Sequence, residues 1–475
     1  MDERQDSEQP EHPAGRLGRR GVLKAGLAAG AVVGTGAWRA APGNRPLRQP
    51  GSLPHPKLSP GTDTIPQIEH IVVLMMENHS YDNYLGMLRR PAADGFRLGN
   101  DGLPTATNPY PNGQVQHAFR MPTTCQLPSR PSQEWTASHN AYDNGQMDGF
   151  VSTPIDPLTT EIVGGVAMGY WQQEDLPFYY SVYRQFPIAD RYFCSVLGQT
   201  FPNRRYLLAA TSIGQIDDFA PALTDYPANG TIFDQFDAHG ITWMDYTATL
   251  APTSSSLALY PPLYLRGAAA KKIVLNTQFF TDAEAGTLPN FSLVEPDYGN
   301  QSEENPQNIA VGEEFAAQVI NAVINGPGWD KTALVLTYDE HGGYYDHVPP
   351  PAAIPPDNIG PTLEDPRENP FDGFARYGFR VPFAMISPWA RPHFVSHRVY
   401  DHTSILKLIE TKWNLPALTF RDANAAPMLD MLDLHKPAFA SPPTLAQPLA
   451  VADPTALSCS VTGPGTIPPP GSVTG

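Results

Sequence analysis

The chain has 475 residues, 41% of them hydrophobic and 17% charged, so it can bury a sizeable core and is too apolar to be a disordered chain. Acidic residues outnumber basic ones, 48 to 31, for a net charge of −17 and a pI near 5.1. Phosphate backbones are held by Lys and Arg, so no nucleic-acid partner is expected, and nothing in the sequence points to a stable protein partner.

Residues 1–41 are expected to be a twin-arginine export signal. Arg19-Arg20 precede Gly21-Val22-Leu23-Lys24 and an Ala/Gly-rich apolar run ending near Ala37. That run is shorter than the roughly 20 apolar residues of a membrane span. Cleavage is expected within 38–44, with the protein secreted or held at the cell envelope. Export by this route goes with folding, and often metal loading, before crossing. Residues 42–63 are Pro/Gly/Ser-rich without periodicity and read as a linker. In an exported protein Cys125 could pair with Cys194, leaving Cys459 in the tail; the other reading of each is a buried or free thiol.

The globular part, 64–436, opens with a strand over 71–76 and a short helix over 81–88. Residues 91–135 are loop-rich. Helices are expected over 178–186 and 201–212, with a strand over 190–196 between them. Phe315, Val319, Ile320 and Val323 recur at helical spacing, which predicts a helix over 311–326. Continuous apolar runs at 331–338 and 380–387 read as buried strands. An amphipathic helix is expected over 403–415, and a Pro-rich tail over 437–475. Strands alternating with helices predict an α/β sheet covered on both faces, a three-layer α/β/α sandwich with loop-rich insertions. In such folds sites gather at the carboxyl ends of the strands.

Two apolar strands end in polar clusters. The first runs into Glu77-Asn78-His79-Ser80. The second runs into Asp339-Glu340-His341, then Gly342-Gly343 and Asp346-His347. Either each cluster caps the segment that follows, or the two share a cation. Adjacent carboxylates at buried strand ends need compensation, which favours the cation. Carboxylate and amide oxygens suit Ca²⁺, Mg²⁺ or Mn²⁺, whereas histidine would shift the preference toward Zn²⁺ or Fe. A third segment, "SVLGQTFPNRRYLLAATS", places Thr200 just before Phe201-Pro202 at an expected helix start. Thr200 is either a helix cap or a nucleophile there, since a helix N-terminus favours an alkoxide and binds phosphate through its N–H groups. Asn203 and Arg204 follow closely enough to donate to phosphoryl oxygens, although Arg204 also reads as a surface ion pair.

The motifs "MMENHSYDNYLG", "GQTFPNRRY" and "TYDEHGGYYDHVPPP" together resemble the bacterial phosphoesterase family of non-specific phospholipases C and a metal-dependent acid phosphatase. "SHNAYDNGQMDGF" and "DHTSILKLIETKWNLP" extend the resemblance over roughly 66–425. It implies an alkaline-phosphatase-like fold. It implies Glu77, Asn78, Asp339 and Glu340 as metal ligands, Thr200 as nucleophile and further ligand, and His139 as a phosphoryl contact. The ion is a divalent metal, with Ca²⁺ or Zn²⁺ the foremost candidates. Asp148 lies near that site or is structural. His341 and His347 are either proton-transfer groups or satisfied structural histidines. His402 reads as part of a helix start with Asp401 and Thr403. One departure stands out: where the family often has His-Pro, this chain has Asn305-Pro306, and an amide cannot protonate a leaving group. His341 could substitute.

The function expected is that of a secreted metal-dependent phosphoesterase, a hydrolase working through a phosphothreonine. Phospholipase C-type cleavage of a phosphate diester, with phospholipid at a membrane surface as a possible substrate, comes first. An acid phosphatase acting on monoesters is the alternative, and a non-catalytic metal-binding surface protein is a third reading. Asn203 and His139 are expected to orient phosphoryl oxygens. The aromatic-rich segments 167–180 and 257–265 either form an apolar approach for a lipid or belong to the core.

Overall fold

The computed structural model describes residues 46–126, 131–152, 164–266, 269–363, 368–451 and 467–472. The expected export signal and Cys459 lie outside them. By internal contacts the chain divides into Met1–Leu47 and Arg48–Gly475, and everything below concerns the second unit.

Its central sheet has eight strands: β1 (His70–Met76), β2 (Ile188–Ala189), β3 (Trp243–Thr247), β4 (Ile273–Leu275), β5 (Phe291–Val294), β6 (Thr332–Tyr338), β7 (Phe383–Ile386) and β8 (Val395–Ser396). Their order is β8-β2-β7-β6-β1-β5-β3-β4, parallel throughout except that β7 runs against both neighbours. β6 is buried along its whole length and β1 from Ile71 onward, as continuous apolar runs covered on both faces require.

The helices that position the site are α1 (Tyr81–Leu85), α2 (Trp135–Tyr142), α3 (Pro177–Gln185), α4 (Thr200–Ala209), α5 (Ile232–His239), α6 (Asn276–Ala285), α7 (Ile309–Asn325) and α8 (His402–Trp413). Paired residues of neighbouring strands share a face, which sorts the helices into layers. Trp243 lies opposite Phe291, and Phe233 of α5 packs on both, with Phe236 bridging Phe291 to Trp413 of α8. Tyr246 lies opposite Val294 on the other face, against Phe279 of α6. The result is a mixed α/β fold with a large central sheet between helices, as the sequence pattern predicts.

Three local expectations change. No strand forms over 190–196; Tyr192 and Phe193 make only isolated bridges to Tyr400 and Arg380, and the strand lies just before them at β2. The run is apolar because Tyr192 stacks on Phe383 at 4.5 Å, not because it extends the sheet. Cys194 is a free buried thiol whereas Cys125 is disulfide-bonded, so the Cys125–Cys194 pair does not exist. From Arg48 on, the Pro-rich stretch is pinned to the body: Gly51 N–H donates to Ala417 O at 2.7 Å, and Asn414 Nδ2 donates to the carbonyls of His55, Leu58 and Ser59.

Candidate active site

Register brings the two polar strand ends together. β1 and β6 are adjacent and parallel with Met76 opposite Tyr338, so Glu77 and Asp339 leave the sheet at one level. Asn78 then turns into the left-handed region at φ 69°, which Asn tolerates better than most residues. Across from it Gly342, at φ 64°, must be glycine, because a Cβ there would stand 2.0 Å from Asn78 O. Asn78 N–H donates to Asp339 Oδ1 at 3.1 Å and Glu340 N–H to the same oxygen at 2.7 Å. Gly342 N–H donates to Glu340 Oε2 at 2.8 Å.

Thr200 arrives from a third direction. It is the first residue of α4, with Gln199 as the cap, so it is not itself the cap. Its buried hydroxyl stands 3.3 Å from the inward end of the Asn78 amide. That same amide end lies 3.2 Å from Asp339 Oδ1 and 2.6 Å from Glu340 Oε1. Turned one way it presents Oδ1, which accepts from the Thr200 hydroxyl and faces two carboxylate oxygens, an oxygen-rich cluster of the kind that surrounds a hard cation. Turned the other way it presents Nδ2, whose two hydrogens lie within reach of all three neighbours. Burial raises the pKa of Glu77, Asp339 and Glu340, Arg204 opposing the shift at Glu77 and Asp339 and the Asp339 charge adding to it at Glu340. The donor set is oxygen-rich, short of positive charge, and fits a divalent cation.

Arg204 lies one turn into α4 and is buried beneath the cluster, not at the surface. Nε meets Asp339 Oδ2 at 3.0 Å, Nη1 meets Tyr298 OH at 2.7 Å and Glu295 Oε2 at 3.4 Å, and Nη2 lies 3.5 Å from Glu77 Oε1. With every arm engaged, Arg204 balances the carboxylates. Beside them opens a cavity of about 460 Å³, with Glu77, Thr200, Arg204, Asp218 and Glu304 among its polar walls and Phe201 and Leu259 among its apolar ones.

The profile described as Phosphoesterase family matches residues 68–416. The chain belongs to the phosphoesterase family. It is 29% identical over 483 residues to phospholipase C B of Mycobacterium tuberculosis (strain ATCC 25618 / H37Rv), covering 92% of this chain and 90% of that one. It is 32% identical to non-specific phospholipase C1 of Arabidopsis thaliana, covering 75% and 69%. A crystal structure from Vibrio parahaemolyticus, in the alkaline phosphatase superfamily, matches at a TM-score of 0.33 and 12% identity over 70% of this chain and 76% of that one, too loosely to add to the fold described above. This phosphoesterase is accordingly a hydrolase acting on phosphoric ester bonds.

The remaining candidate residues stand outside the oxygen cluster. Asn203, expected to orient a phosphoryl oxygen, has its amide fully committed to the loop before Thr200. It accepts from Ser195 N–H at 2.8 Å and Val196 N–H at 3.0 Å and donates to Gly198 O at 3.0 Å and Gln199 O at 2.9 Å. It positions Thr200 and has no hydrogen to spare. His139 is stacked on Phe371 at 4.1 Å, with Nδ1 2.8 Å from Trp135 O and Nε2 3.8 Å from Asp372. It does not line the cavity. His341 is buried against Phe379; Nδ1 is 2.9 Å from Glu340 Oε2 but outside hydrogen-bond angles, and burial lowers its pKa to about 3. A neutral, enclosed imidazole is poorly suited to replace a general acid. His402 braces the site: Nε2 meets Asp339 O at 2.7 Å, at the start of α8 where Asp401 is the cap. His79 lies between Tyr84 and Tyr344 with Nε2 3.0 Å from Glu303 O. Asp148 contacts Asp143 and is not a cavity residue. Asn305 accepts from Tyr344 OH at 3.1 Å.

Among the described residues, Asp82, Asp346 and His347 bring acidic and histidine ligand atoms within 4.8 Å of one another. That cluster already holds a cation. Arg380, wholly buried, meets Asp346 at 2.9 Å and Asp82 at 3.1 Å. His347, 2.6 Å from Asp82, has its pKa raised because Asp82 outweighs the opposing effect of burial. The sequence reading missed Asp218, Glu295, Tyr298 and Glu304. Asp218, Tyr298 and Glu304 lie in segments without strand or helix periodicity, whereas Glu295 directly follows the short strand Phe291–Val294, a strand-end signal that could have found it.

Proposed function

We propose that this phosphoesterase is a secreted, metal-dependent enzyme that cleaves phosphodiesters in the manner of a phospholipase C, through a phosphothreonine at Thr200. The convergence of Asn78, Asp339 and Glu340 near Thr200, which lines the cavity together with Glu77, carries this reading. A divalent ion held by Glu77, Asn78, Thr200, Asp339 and Glu340 would supply charge stabilisation at the threonine oxygen and at a phosphoryl oxygen. The all-oxygen donor set favours Ca²⁺ over Zn²⁺.

The chain's own residues do the rest. Asn203 holds residues 195–199 so that the Thr200 hydroxyl points into the cavity at the positive end of α4. Thr200 Oγ1 gives up its proton to solvent and attacks phosphorus in line; a P–O bond forms as the bond to the leaving alcohol breaks. Asn305 cannot protonate that alcohol. Asp218 faces the cavity and accepts Phe201 N–H at 2.7 Å, one residue from the nucleophile. We assign it the proton. Water then cleaves the phosphothreonine and frees Thr200.

The test is hydrolysis of p-nitrophenylphosphorylcholine and p-nitrophenyl phosphate by wild type and Thr200→Ala, with and without chelator. Wild type should prefer the diester, and both changes should lower turnover roughly a thousandfold or more. Near-normal turnover by Thr200→Ala overturns the mechanism. A preference for the monoester would favour an acid phosphatase, and silence on both substrates with metal bound would favour a binding protein.

A further inference from the structure

Of the two readings of segments 167–180 and 257–265, lipid approach or core, burial favours the core. Over 167–180, Trp171, Phe178, Tyr179 and Tyr180 are buried in the core. In 257–265 only Leu265 is an exposed large apolar side chain, while Tyr260 and Leu263 are buried. Apolar surface gathers instead at the cavity mouth. Phe219 is 57% exposed and Leu223 76%, on the loop "FAPAL". Leu250 is 60% exposed, at the start of "LAPT", and Leu265 67%. Ala220 and Pro221 of the first loop and Pro252 and Thr253 of the second line the same cavity as Thr200. Tyr264 OH donates to Leu250 O at 3.3 Å, tying the turn that carries Leu265 to the second tip. No charged residue falls between Asp245 and Arg266. A single exposed leucine needs no explanation, but several around the mouth of a site mark a contact surface.

We propose that the loop tips at 219–223 and 250–253 insert into the surface of a zwitterionic lipid aggregate and set the cavity mouth against it. This rests on the phospholipase C reading. A phospholipid carries its phosphate at the boundary between headgroup and acyl chains. An enzyme that reaches that phosphate without extracting the whole lipid needs apolar surface around the opening. Charge complementarity points to the kind of surface. A chain of net charge −17 is repelled by anionic lipid, and the two tips carry no basic residue, so binding must come from apolar insertion.

The experiment compares wild type, Leu223→Asp/Leu250→Asp and the control Val399→Asp, which alters an exposed apolar residue elsewhere. Each is assayed for flotation with phosphatidylcholine vesicles, for turnover of vesicle phosphatidylcholine, and for turnover of soluble p-nitrophenylphosphorylcholine. The double variant should lose vesicle binding and vesicle turnover by roughly a hundredfold, while soluble turnover stays within about twofold of wild type. The control should match wild type, and phosphatidylglycerol should weaken binding. Unchanged vesicle binding and turnover in the double variant overturn the proposal. So does binding that rises with anionic lipid and falls with salt, or a wild-type dimer dissociated by the double variant with vesicle binding intact, which would assign the patch to a second copy. If wild type hydrolyses neither substrate, the functional reading fails, and the flotation result alone decides docking.

Discussion

Replacing Arg204 with methionine tests whether the buried carboxylates depend on one guanidinium. Arg204 faces Asp339 at 3.0 Å, Glu295 at 3.4 Å and Glu77 at 3.5 Å, and accepts no help from solvent because the whole group is buried. Removing one member of a buried ion pair typically destabilises by about 3–5 kcal/mol, since the partner is left charged and desolvated. Here the carboxyls can take up protons instead, which caps the loss at low pH. The sign follows from the shifts: burial already raises Glu77 and Asp339, and without Arg204 both rise further. A carboxyl raised in the folded state is favourable below its ordinary value and loses stability as pH rises toward the folded one. The deficit of Arg204→Met should therefore be small near pH 4 and reach about 3–5 kcal/mol by pH 8 in chelator. In a chain of this length that is a fall in Tm of roughly 3–10 °C. A saturating divalent ion should restore part of it by binding only the folded state. The assay is thermal unfolding followed by circular dichroism, across pH, with and without metal. A Tm within about 1 °C of wild type at pH 8 without metal would refute the reasoning.

Asn203→Ala strips partners from the buried Ser195 and Val196 N–H groups; it should destabilise by about 2–4 kcal/mol in denaturant titration and lower kcat more than it raises KM. Asp218→Asn should slow release of a lipid alcohol at least tenfold yet barely touch p-nitrophenyl esters, whose phenolate leaves without a proton; equal losses on both would remove Asp218 from proton transfer. Glu303 sits among the hydroxyls of Tyr84, Tyr179 and Tyr338 at 2.6–2.8 Å, and burial pushes its pKa up to about 8. It should cost the protein stability as pH rises from about 4.5 to 8, and Glu303→Gln should flatten that slope in urea titrations.

The fold class was legible in the residues themselves, and so was the pairing of two polar strand ends. Continuous apolar runs at 71–76 and 331–338 could only be strands covered on both faces, and strands of that kind deliver their sites at the carboxyl ends. Two such ends carrying Glu77-Asn78 and Asp339-Glu340, with Thr200 before a proline-led helix, made a cation and a hydroxyl the economical reading. Burial pattern and local backbone preference are properties of neighbouring residues, and sequence reports them directly. The strands β3, β4 and β5 went unseen because each is short and pairs only with distant chain.

What tertiary structure decided is partnership. Parallel register set Glu77 beside Asp339, across more than half the chain. Asn203 and Arg204, adjacent in sequence, took opposite duties: one braces the loop before Thr200, the other balances the charge of Glu77, Glu295 and Asp339. The tight acidic cluster at Asp82 and Asp346 is neutralised by Arg380, while at the other cluster Arg204 meets Asp339 and Glu77. The aromatic runs that read either as a lipid approach or as core went largely to the core, and plain Phe-Ala-Pro and Leu-Ala-Pro turns took the surface. Composition states what a segment can bury; only packing against residues a hundred positions away settles whether it does.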